Sequence, residues 1–386
     1  MALPAGFVIG AGLERTLPSS WYSRDDVFAL EREHIFYREW LCIGRDEDLP
    51  RPGDHRVVDV LGQSILLVRN GAGALRAFYN VCRHRGARLC ASGAAAGTKP
   101  AAIRGGVMAG GTILCPYHAW VYDLDGRLLG APHLDESVGL RVEDVRLHAV
   151  GVETWGGFVF VNLTPQASRP FRDEITTAAR RLVRYPFADL RVAQTIRYEV
   201  AANWKILCEN YNECYHCGPV HPELCRLVPA FRDQGGSRLD WDRGIPHRAG
   251  ADTFTVTGTS TRRSFPGLDA DEQVRHKGEL IYPNVFLSVA REHVAAFILW
   301  PVGPARTTID CHFLFEPFEI AKPDFDPSDA IDFWDVVNRQ DWWICEAVQQ
   351  GIASRVHESG VFSPMEDWNL DIRRYVTERI GAYVHD

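Results

Sequence analysis

Two short motifs in the first third of the chain each place a cysteine beside a histidine. Cys82 and His84 lie in Cys-Arg-His-Arg-Gly, and Cys115 and His118 lie in Cys-Pro-Tyr-His-Ala-Trp. Two cysteines can hold one iron of a [2Fe–2S] cluster while two histidines hold the other, and the neutral imidazoles raise the reduction potential to roughly −150 to +300 mV. The four residues therefore predict a centre that accepts one electron and passes it on.

A zinc site is the alternative interpretation of these motifs, because Cys₂His₂ is also a zinc donor set and Cys90 lies near enough in sequence to compete as a ligand. Zinc-finger sequences, however, usually pair Cys with Cys and His with His, whereas each half here contains one of each. Trp120, Tyr122 and Gly126 follow the second motif, as expected where two hairpin loops wrap a cluster. The iron–sulfur interpretation is favoured.

A second histidine pair lies near the middle of the chain. Asn203 is a good N-cap and predicts a helix over Trp204–Cys217, which ends at a Gly-Pro pair. Glu213 and His216 are three residues apart on that helix, and His221 lies just past its end. Two neutral imidazoles and one carboxylate form the facial triad of non-haem Fe(II) oxygenases, which leaves positions open for oxygen.

Two other interpretations of this segment stay open. His216 and His221 could be a buried structural pair, or Cys214 and Cys217 could be half of a zinc site. A single Cys-x₂-Cys is a weak zinc signal, and no second such pair completes it. The iron interpretation gains strength from the Cys₂His₂ set in the same chain.

Taken together, Cys-x-His-Arg-Gly, Cys-Pro-Tyr-His-x-Trp-x-Tyr and Glu-x₂-His-x₄-His after Asn-Trp-Lys make the chain resemble the Rieske non-haem iron oxygenases over nearly its whole length. One departure is the thirty residues between His84 and Cys115, more than is usual in that family. The excess maps to Ala91–Gly111, where thirteen of twenty-one residues are Ala or Gly. We interpret it as a flexible surface insertion.

The resemblance also assigns roles around the second site. It implies that Asp341, on a C-terminal helix, is the carboxylate ligand of a mononuclear Fe(II), and that Glu213 is a bridge to the cluster and not a ligand. Asn210 would lie behind the open iron positions, although it could equally be an ordinary helix-surface amide. Other acidic residues compete with Asp341 and could instead lie on solvated helix faces: Asp332, Asp335 and Asp367.

The length and composition fit two domains. The chain has 386 residues, a length greater than one hydrophobic core usually organises. Its content of 46% hydrophobic and 11% aromatic residues is enough to fill two cores. Short alternating strands punctuated by turns predict a small antiparallel β domain, and the later pattern predicts an α+β domain built on an antiparallel sheet with helices. We expect an N-terminal helical segment over 1–47 packing on the catalytic domain, a Rieske domain over 48–165 and a catalytic domain over 166–386, with a helix over Asp25–Tyr37 capped by Ser23.

Charge and signals exclude several classes of protein. The net charge of −8 with mixed signs provides no basic surface for nucleic acid or for an anionic membrane. The apolar runs are too short to span a bilayer, and the N-terminus lacks a basic leader. Ten cysteines in a chain without a signal peptide predict reduced thiols and metal ligands, not disulfides, and a cytoplasmic location.

Electrons must come from another protein, because the chain has neither a Gly-x-Gly-x-x-Gly turn after a strand nor a plant-type four-cysteine set. The resemblance implies a separate flavin and iron–sulfur reductase that draws on NAD(P)H, with O₂ as co-substrate. It also implies a head-to-tail homotrimer, in which the cluster of one chain lies beside the iron of the next.

Within the family, the resemblance narrows to monooxygenases of quaternary ammonium compounds, such as betaine demethylases and carnitine or choline oxygenases. The features that carry it are Glu, not Asp, at position 213 and the run Glu-Cys-Tyr-His-Cys-Gly-Pro. Aromatic side chains could hold an onium group by cation–π contact, although each could equally be core packing. The candidates are Trp300, Phe297, Tyr282, Phe286, Trp342 and Trp343. Hydroxylation of an aromatic ring or aromatic acid is the alternative, and a non-catalytic Rieske electron carrier is a remote one.

Overall fold

The computed structural model describes residues 13–91, 106–108, 110–134, 139–235 and 239–384. Its strands are β1 (Glu14–Arg15), β2 (Leu41–Arg45), β3 (His55–Val60), β4 (Gln63–Arg69), β5 (Leu75–Tyr79), β6 (Gly106–Met108), β7 (Thr112–Leu114), β8 (Val121–Asp123), β9 (Leu128–Gly130), β10 (Ala149–Trp155), β11 (Phe158–Asn162), β12 (Arg191–Val200), β13 (Ile245–Pro246), β14 (Arg275–Ile281), β15 (Val285–Val289), β16 (Val294–Gly303), β17 (Arg306–Phe315) and β18 (Val361–Phe362). Its α-helices are α1 (Asp25–Glu31), α2 (Phe171–Glu174), α3 (Thr176–Arg181), α4 (Trp204–Tyr211), α5 (Cys217–Val220), α6 (Pro222–Leu227), α7 (Pro229–Gln234), α8 (Pro317–Ile320), α9 (Ser328–Ile352) and α10 (Asn369–Ile380). None of the helices in these ranges is both long and apolar enough to cross a membrane.

The chain divides into two compact units. One consists of Arg38–Arg169, and the other combines the chain up to Tyr37 with the chain from Pro170 onwards. The predicted boundary after residue 47 is therefore too late, because Leu41–Arg45 forms strand β2 and pairs with β11 inside the first of these units. The second boundary, predicted between 165 and 166, lies between 169 and 170.

The unit Arg38–Arg169 is built from two antiparallel sheets. The larger has the strand order β2-β11-β10-β5-β4-β3, and the smaller has the order β6-β7-β8-β9. Hairpins account for most of the pairing, as the alternating sequence predicts, and the turns Asn70-Gly71 and Asp125-Gly126 join β4 to β5 and β8 to β9. Buried side chains of both sheets meet in one hydrophobic cluster, which includes Phe78, Ile113 and Tyr122.

The backbone of Gly126 lies so close to the hydrophobic core of this unit that a side chain there would test the packing. Its φ is +82°, and a Cβ atom there would lie 2.6 Å from the ring of Phe78. We expect Gly126→Ala to lower the free energy of unfolding by about 1–3 kcal/mol, because both the backbone and the core would be strained. The measurement is a urea titration of the full chain followed by visible cluster absorbance. Gly130→Ala is the matched control, since nothing lies within 4 Å of a Cβ there, and an equal loss in both variants would contradict the packing argument.

The second unit is organised around an antiparallel sheet with the strand order β12-β17-β16-β15-β14-β13. Strand β15 is buried along its whole length, and β16 is buried over most of its length, so both read as apolar runs without alternation. Helix α4 contacts the long helix α9 and also α10. The fold class predicted from the sequence, a β domain followed by an α+β domain, is confirmed.

A buried ion pair joins the N-terminal segment to helix α4. Lys205 Nζ contacts Glu31 Oε1 with both side chains fully buried, and the Trp204 indole N–H donates to Glu31 Oε2 at 2.9 Å. Asn203 caps α4 as predicted, since its Oδ1 accepts the Lys205 N–H at 2.9 Å. Removing one member of a buried ion pair leaves an uncompensated charge. Because Trp204 and Lys205 are the first residues of α4, their contacts with Glu31 hold the start of this helix against the N-terminal segment.

Several local predictions differ from the structure. The first helix continues from α1 into a π-helical turn, Arg32–Phe36, and Arg24, not Ser23, stands at its N-cap position. Most of the proposed insertion falls on residues 92–105, outside the described residues, while 106–108 form β6 paired with β7.

Candidate metal centres and active site

The two ligand loops of the first unit follow strands β5 and β7. Cys82 and Cys115 are each only 3% exposed, whereas His84 and His118 are exposed and their ring centroids are 4.8 Å apart. A backbone turn closes each loop: the Gly86 N–H donates to the Cys82 carbonyl at 3.0 Å, and the Ala119 N–H donates to the Cys115 carbonyl at 3.2 Å. Buried sulfurs with imidazoles at the surface fit a cluster held by two thiolates and two histidines.

Neighbouring side chains hold these ligands in place. The Tyr122 hydroxyl lies 3.3 Å from Cys82 Sγ and accepts the Arg83 N–H at 3.2 Å. The indole of Trp120 stacks on the His84 ring at 4.9 Å. Hydrogen bonds to the sulfurs of a cluster are one of the factors that set its potential. Tyr122 and Trp120 therefore act as structural support for the predicted ligands.

Cys90, the competing ligand in the zinc interpretation, lies in the same buried hydrophobic cluster as Cys82 and Cys115. Its backbone is fixed by Asn80, whose Oδ1 accepts the N–H groups of Leu89 at 3.1 Å and Cys90 at 2.9 Å. The structure thus gives Cys90 a defined position in the core beneath the loops.

In the second unit, three predicted ligands converge. Asp341 Oδ1 lies 2.9 Å from His221 Nε2 and 3.3 Å from His216 Nε2. The histidines stand at the two ends of the short helix α5, and Asp341 comes from α9. Two imidazole nitrogens and one carboxylate oxygen at one point are the donor set of a non-haem iron site. The residues present fit a mononuclear Fe(II).

The turn before α5 differs from the predicted helix. Helix α4 ends at Tyr211, and Glu213 lies in the turn that follows. One carboxylate oxygen of Glu213 accepts the backbone N–H groups of Tyr215 and His216. The other contacts His216 Nδ1 at 2.5 Å. Glu213 therefore shares a turn with His216, and not a helix face.

Hydrogen bonds at the far side of each ring fix the orientation of the histidines. Glu213 accepts from His216 Nδ1, and Gln340 Oε1 accepts from His221 Nδ1 at 2.7 Å. Gln340 is held in turn by Glu223, whose Oε2 accepts the amide N–H of Gln340 at 2.9 Å. Because each Nδ1 donates to one of these partners, the Nε2 atom of both rings faces Asp341 and is the nitrogen left for metal ligation.

The charges at the three ligands are strongly coupled. Burial alone would lower the pKa of His216, but hydrogen bonds with Asp341 and Glu213 outweigh it and raise the pKa to about 10. Burial alone would raise the pKa of Asp341, but hydrogen bonds with His216 and His221 lower it to about 2. The carboxylates thus hold a positive charge at His216 Nε2. A metal cation would take the place of that proton.

The remaining polar candidates lie at different distances from this point. The Asn210 amide nitrogen is 3.2 Å from His216 Nε2, so Asn210 does border the ligands. Asp335 accepts a hydrogen bond from the Tyr198 hydroxyl at 2.8 Å and pairs with Arg339. The other two competing aspartates are exposed: Asp332 and Asp367. Asp341 is the one of the four that meets both histidines.

The six aromatic candidates do not share one environment. Tyr282 stacks on Tyr375, and Phe286 stacks on Tyr211, each at 4.4 Å between ring centroids. The Trp300 indole N–H donates to Asp310, and Phe297 packs against Trp334. Trp342 packs against Tyr198, and Trp343 is 64% exposed. Several of them therefore have packing partners of their own.

Two cysteines beside His216 are oxidised, against the expectation of reduced thiols. Cys214 and Cys217 form a disulfide across the turn that contains His216. The pair is thus not half of a four-cysteine zinc site. Its Cys217 sulfur nevertheless lies close to the histidines, since the donor atoms of His216, Cys217 and His221 are all within 4.8 Å of one another.

Sequence reasoning missed several buried polar groups around the site. Gln340 directly precedes Asp341, so its position next to a ligand was a usable signal. Glu209 accepts a hydrogen bond from the Tyr22 hydroxyl at 2.5 Å, and burial raises the pKa of Glu209 to about 7. Burial also raises the pKa of Glu366, which interacts electrostatically with Glu213. Tyr22 and Glu366 are far from the motif in sequence, and no spacing pointed to them.

Comparisons with known proteins identify both domains. Residues 39–153 match the Rieske [2Fe-2S] domain, and residues 187–382 match the ring hydroxylating alpha subunit (catalytic domain). The chain is 30% identical over 381 residues to the glycine betaine monooxygenase oxygenase subunit of Chromohalobacter salexigens, covering 91% of this chain and 82% of that protein. It is 29% identical over 359 residues to the carnitine monooxygenase oxygenase subunit of Acinetobacter pittii, covering 92% and 89%.

A solved structure shows the same architecture. The chain is similar to the quaternary ammonium Rieske monooxygenase CntA in complex with its substrate L-carnitine, with a TM-score of 0.70 and 26% identity over 95% of this chain and 96% of that one. The two domain matches imply a Rieske cluster and a mononuclear iron. The interpretation as a simple electron carrier is excluded, because the catalytic domain is present. The chain belongs to the Rieske oxygenase family, as a ring hydroxylating alpha subunit, and is an enzyme of the oxygenase class.

Proposed function

We propose that this chain is a terminal oxygenase that uses O₂ and reductase-supplied electrons to oxidise a small quaternary ammonium compound, by oxidative N-demethylation of a betaine-like substrate. The observation that carries the proposal is the convergence of His216, His221 and Asp341 in a chain whose other unit holds a Cys₂His₂ set. When bound, the cluster would supply single electrons and the mononuclear iron would supply open positions for oxygen chemistry.

The protein side chains prepare the site for this role. Glu213 and Gln340 keep the two imidazoles in the tautomer that ligates through Nε2. Lys205 and Glu31 anchor helix α4, from which the chain enters the turn with Glu213 and His216. A ligand set held by such secondary contacts does not need to reorganise during turnover.

The relatives support a quaternary ammonium substrate. The two described above carry betaine and carnitine in their names, and the solved structure that is similar to this chain contains L-carnitine as its substrate.

The proposed reaction balances as follows. One methyl C–H bond of the trimethylammonium group becomes C–OH, with one oxygen atom from O₂. The resulting hemiaminal breaks its C–N bond, releases formaldehyde and a proton, and leaves a tertiary amine. The second oxygen atom leaves as water with two electrons from NAD(P)H, delivered by a separate flavin and iron–sulfur reductase, and two protons.

The test is a substrate screen with purified chain, reductase, NAD(P)H and O₂. Protein with about three irons and two acid-labile sulfides per chain, one cluster and one mononuclear site, is used. We expect glycine betaine or carnitine to give formaldehyde in proportion to the NAD(P)H consumed. The matched control is the carbon isostere of betaine, with a tert-butyl group in place of the trimethylammonium group, which should not be turned over. Oxidation of benzoate in preference to all onium compounds would overturn the proposal.

The homotrimer and the cytoplasmic location are also proposals. The trimer rests on the need to bring a cluster close to an iron, and light scattering of the purified protein tests it directly. A monomer that turns over at the full rate would contradict this arrangement.

A further inference from the structure

The turn that carries His216 is closed by a disulfide. Cys214 and Cys217 flank Tyr215 and His216, and both sulfurs are buried, with residue exposures of 8% and 2%. The Cys217 N–H donates to the Cys214 carbonyl at 3.1 Å, and the Cys214 N–H donates to the Gly235 carbonyl at 3.0 Å. The S–S bond therefore lies in a fixed turn around a proposed iron ligand.

The Cys217 sulfur is also within reach of the metal position. Cys217 Sγ lies 4.0 Å from His216 Nε2, and it belongs to the group of donor atoms that includes His221. In a disulfide this sulfur carries no negative charge and is a poor ligand. As a thiolate it would be a soft donor, which favours zinc over iron among divalent ions of comparable availability.

We propose that Cys214 and Cys217 form a reversible thiol–disulfide site that controls the ligand set of the mononuclear centre. The disulfide withholds the negative charge that the Cys217 sulfur needs to bind a metal, so that His216, His221 and Asp341 are the protein ligands. Reduction frees Cys217 as a fourth protein ligand. Three protein ligands leave positions open, whereas four form the closed set of a structural zinc site. The inference deepens the proposed function by adding regulation of the same centre.

The redox step requires only a dithiol and its disulfide. Reduction breaks the Sγ–Sγ bond and adds two electrons and two protons, giving two thiols, while the dithiol reductant becomes a disulfide. Metal binding then displaces the proton of the Cys217 thiol. Oxidation by a disulfide reverses the exchange. A Cys-x₂-Cys pair that changes state in this way is typical of intracellular redox sites.

Zinc absorption spectroscopy isolates this centre from the cluster. The mononuclear metal is removed by chelation from the full chain, zinc is added, and the zinc K-edge fine structure is recorded with the cysteine pair oxidised and reduced. Since the cluster contains no zinc, every zinc neighbour belongs to the second site. We expect nitrogen and oxygen only in the oxidised protein, one sulfur at about 2.3 Å after reduction, and zinc affinity at least about tenfold higher.

Three variants separate the possible outcomes. Cys214→Ser leaves Cys217 unpaired and should show the sulfur under both conditions, whereas Cys217→Ser should show it under neither. Cys225→Ser is the matched control, because the Cys225 thiol contacts the Cys217 carbonyl at 3.3 Å without belonging to the donor group. It should behave as wild type.

Alkylation and mass spectrometry of the peptide that contains both cysteines give the redox state in each sample. Reduced wild type without a zinc–sulfur distance, or a sulfur that persists in Cys217→Ser, would overturn the proposal. A pair that stays alkylatable after treatment with oxidised glutathione would also overturn it. None of these measurements uses substrate turnover, so failure of the betaine proposal and failure of the redox proposal are distinguishable.

Discussion

Asp341→Asn is expected to empty the mononuclear site and to lower turnover by roughly two orders of magnitude or more, with cluster absorbance unchanged. Asp341 Oδ1 is the one carboxylate oxygen within 3.3 Å of both His216 Nε2 and His221 Nε2 among the aspartates that compete for this role. A carboxamide is neutral and is a poorer ligand for Fe(II). Iron analysis at fixed protein concentration, together with formaldehyde production, measures both effects.

Asp335→Asn is the matched control on the same helix. Asp335 accepts from the Tyr198 hydroxyl at 2.8 Å and pairs with Arg339, so its loss should change packing locally and leave iron in place. Iron that is lost from Asp335→Asn but retained in Asp341→Asn would reverse the ligand assignment. Cys82→Ala provides the opposite pattern, with the cluster lost and the mononuclear iron retained.

Glu213→Gln is expected to keep both metal centres while electron transfer between them slows by about 10–100-fold. Glutamine retains an oxygen for the backbone N–H groups of Tyr215 and His216, so the turn should survive. It lacks the negative charge that Glu213 places at His216 Nδ1. In the proposed trimer this carboxylate would link His216 to His118 of a neighbouring chain, and the loss of charge would weaken that link.

Single-turnover kinetics separate this effect from a loss of iron. The cluster is reduced chemically, mixed with oxygen and substrate, and followed by its visible absorbance, with iron content measured on the same sample. Glu223→Gln is the matched control, because Glu223 supports His221 through Gln340 and lies on no proposed link to the cluster. We expect a smaller effect there. Normal reoxidation in Glu213→Gln would show that the carboxylate is structural only.

The proposed ligands that lie within short motifs were the easiest to place from the sequence, because local spacing fixes their geometry. Cys82, His84, Cys115 and His118 sit in turns whose residues are adjacent in the chain. The Asn203 cap was predictable for the same reason, since the N–H groups of a first helical turn have no carbonyl partner within the helix and the Asn203 side-chain oxygen accepts one of them.

The choice among distant carboxylates was not fixed by local spacing. Asp341 lies 120 residues from His221, and the contact depends on how α9 crosses the catalytic unit. The sequence placed the end of α4 at the Gly-Pro pair, but the helix ends earlier, at Tyr211. There the Glu213 side chain accepts the backbone N–H groups of Tyr215 and His216, which a continued helix would have used for its own hydrogen bonds. Aromatic residue type alone could not distinguish Tyr282, stacked on Tyr375, from a residue that binds substrate.

The pairing of Glu31 with Lys205 has a consequence for synthesis of the protein. The two residues are 174 positions apart, and all of Arg38–Arg169 is translated between them. Domains generally fold as units during synthesis. The unit Arg38–Arg169 can therefore complete its sheets while the Glu31 carboxylate is still solvated, before Lys205 has been synthesised. The oxygenase unit can only close after the ribosome has released α9 with Asp341. The order of translation thus allows the unit with the Cys₂His₂ set to fold before the unit with the proposed iron ligands is complete.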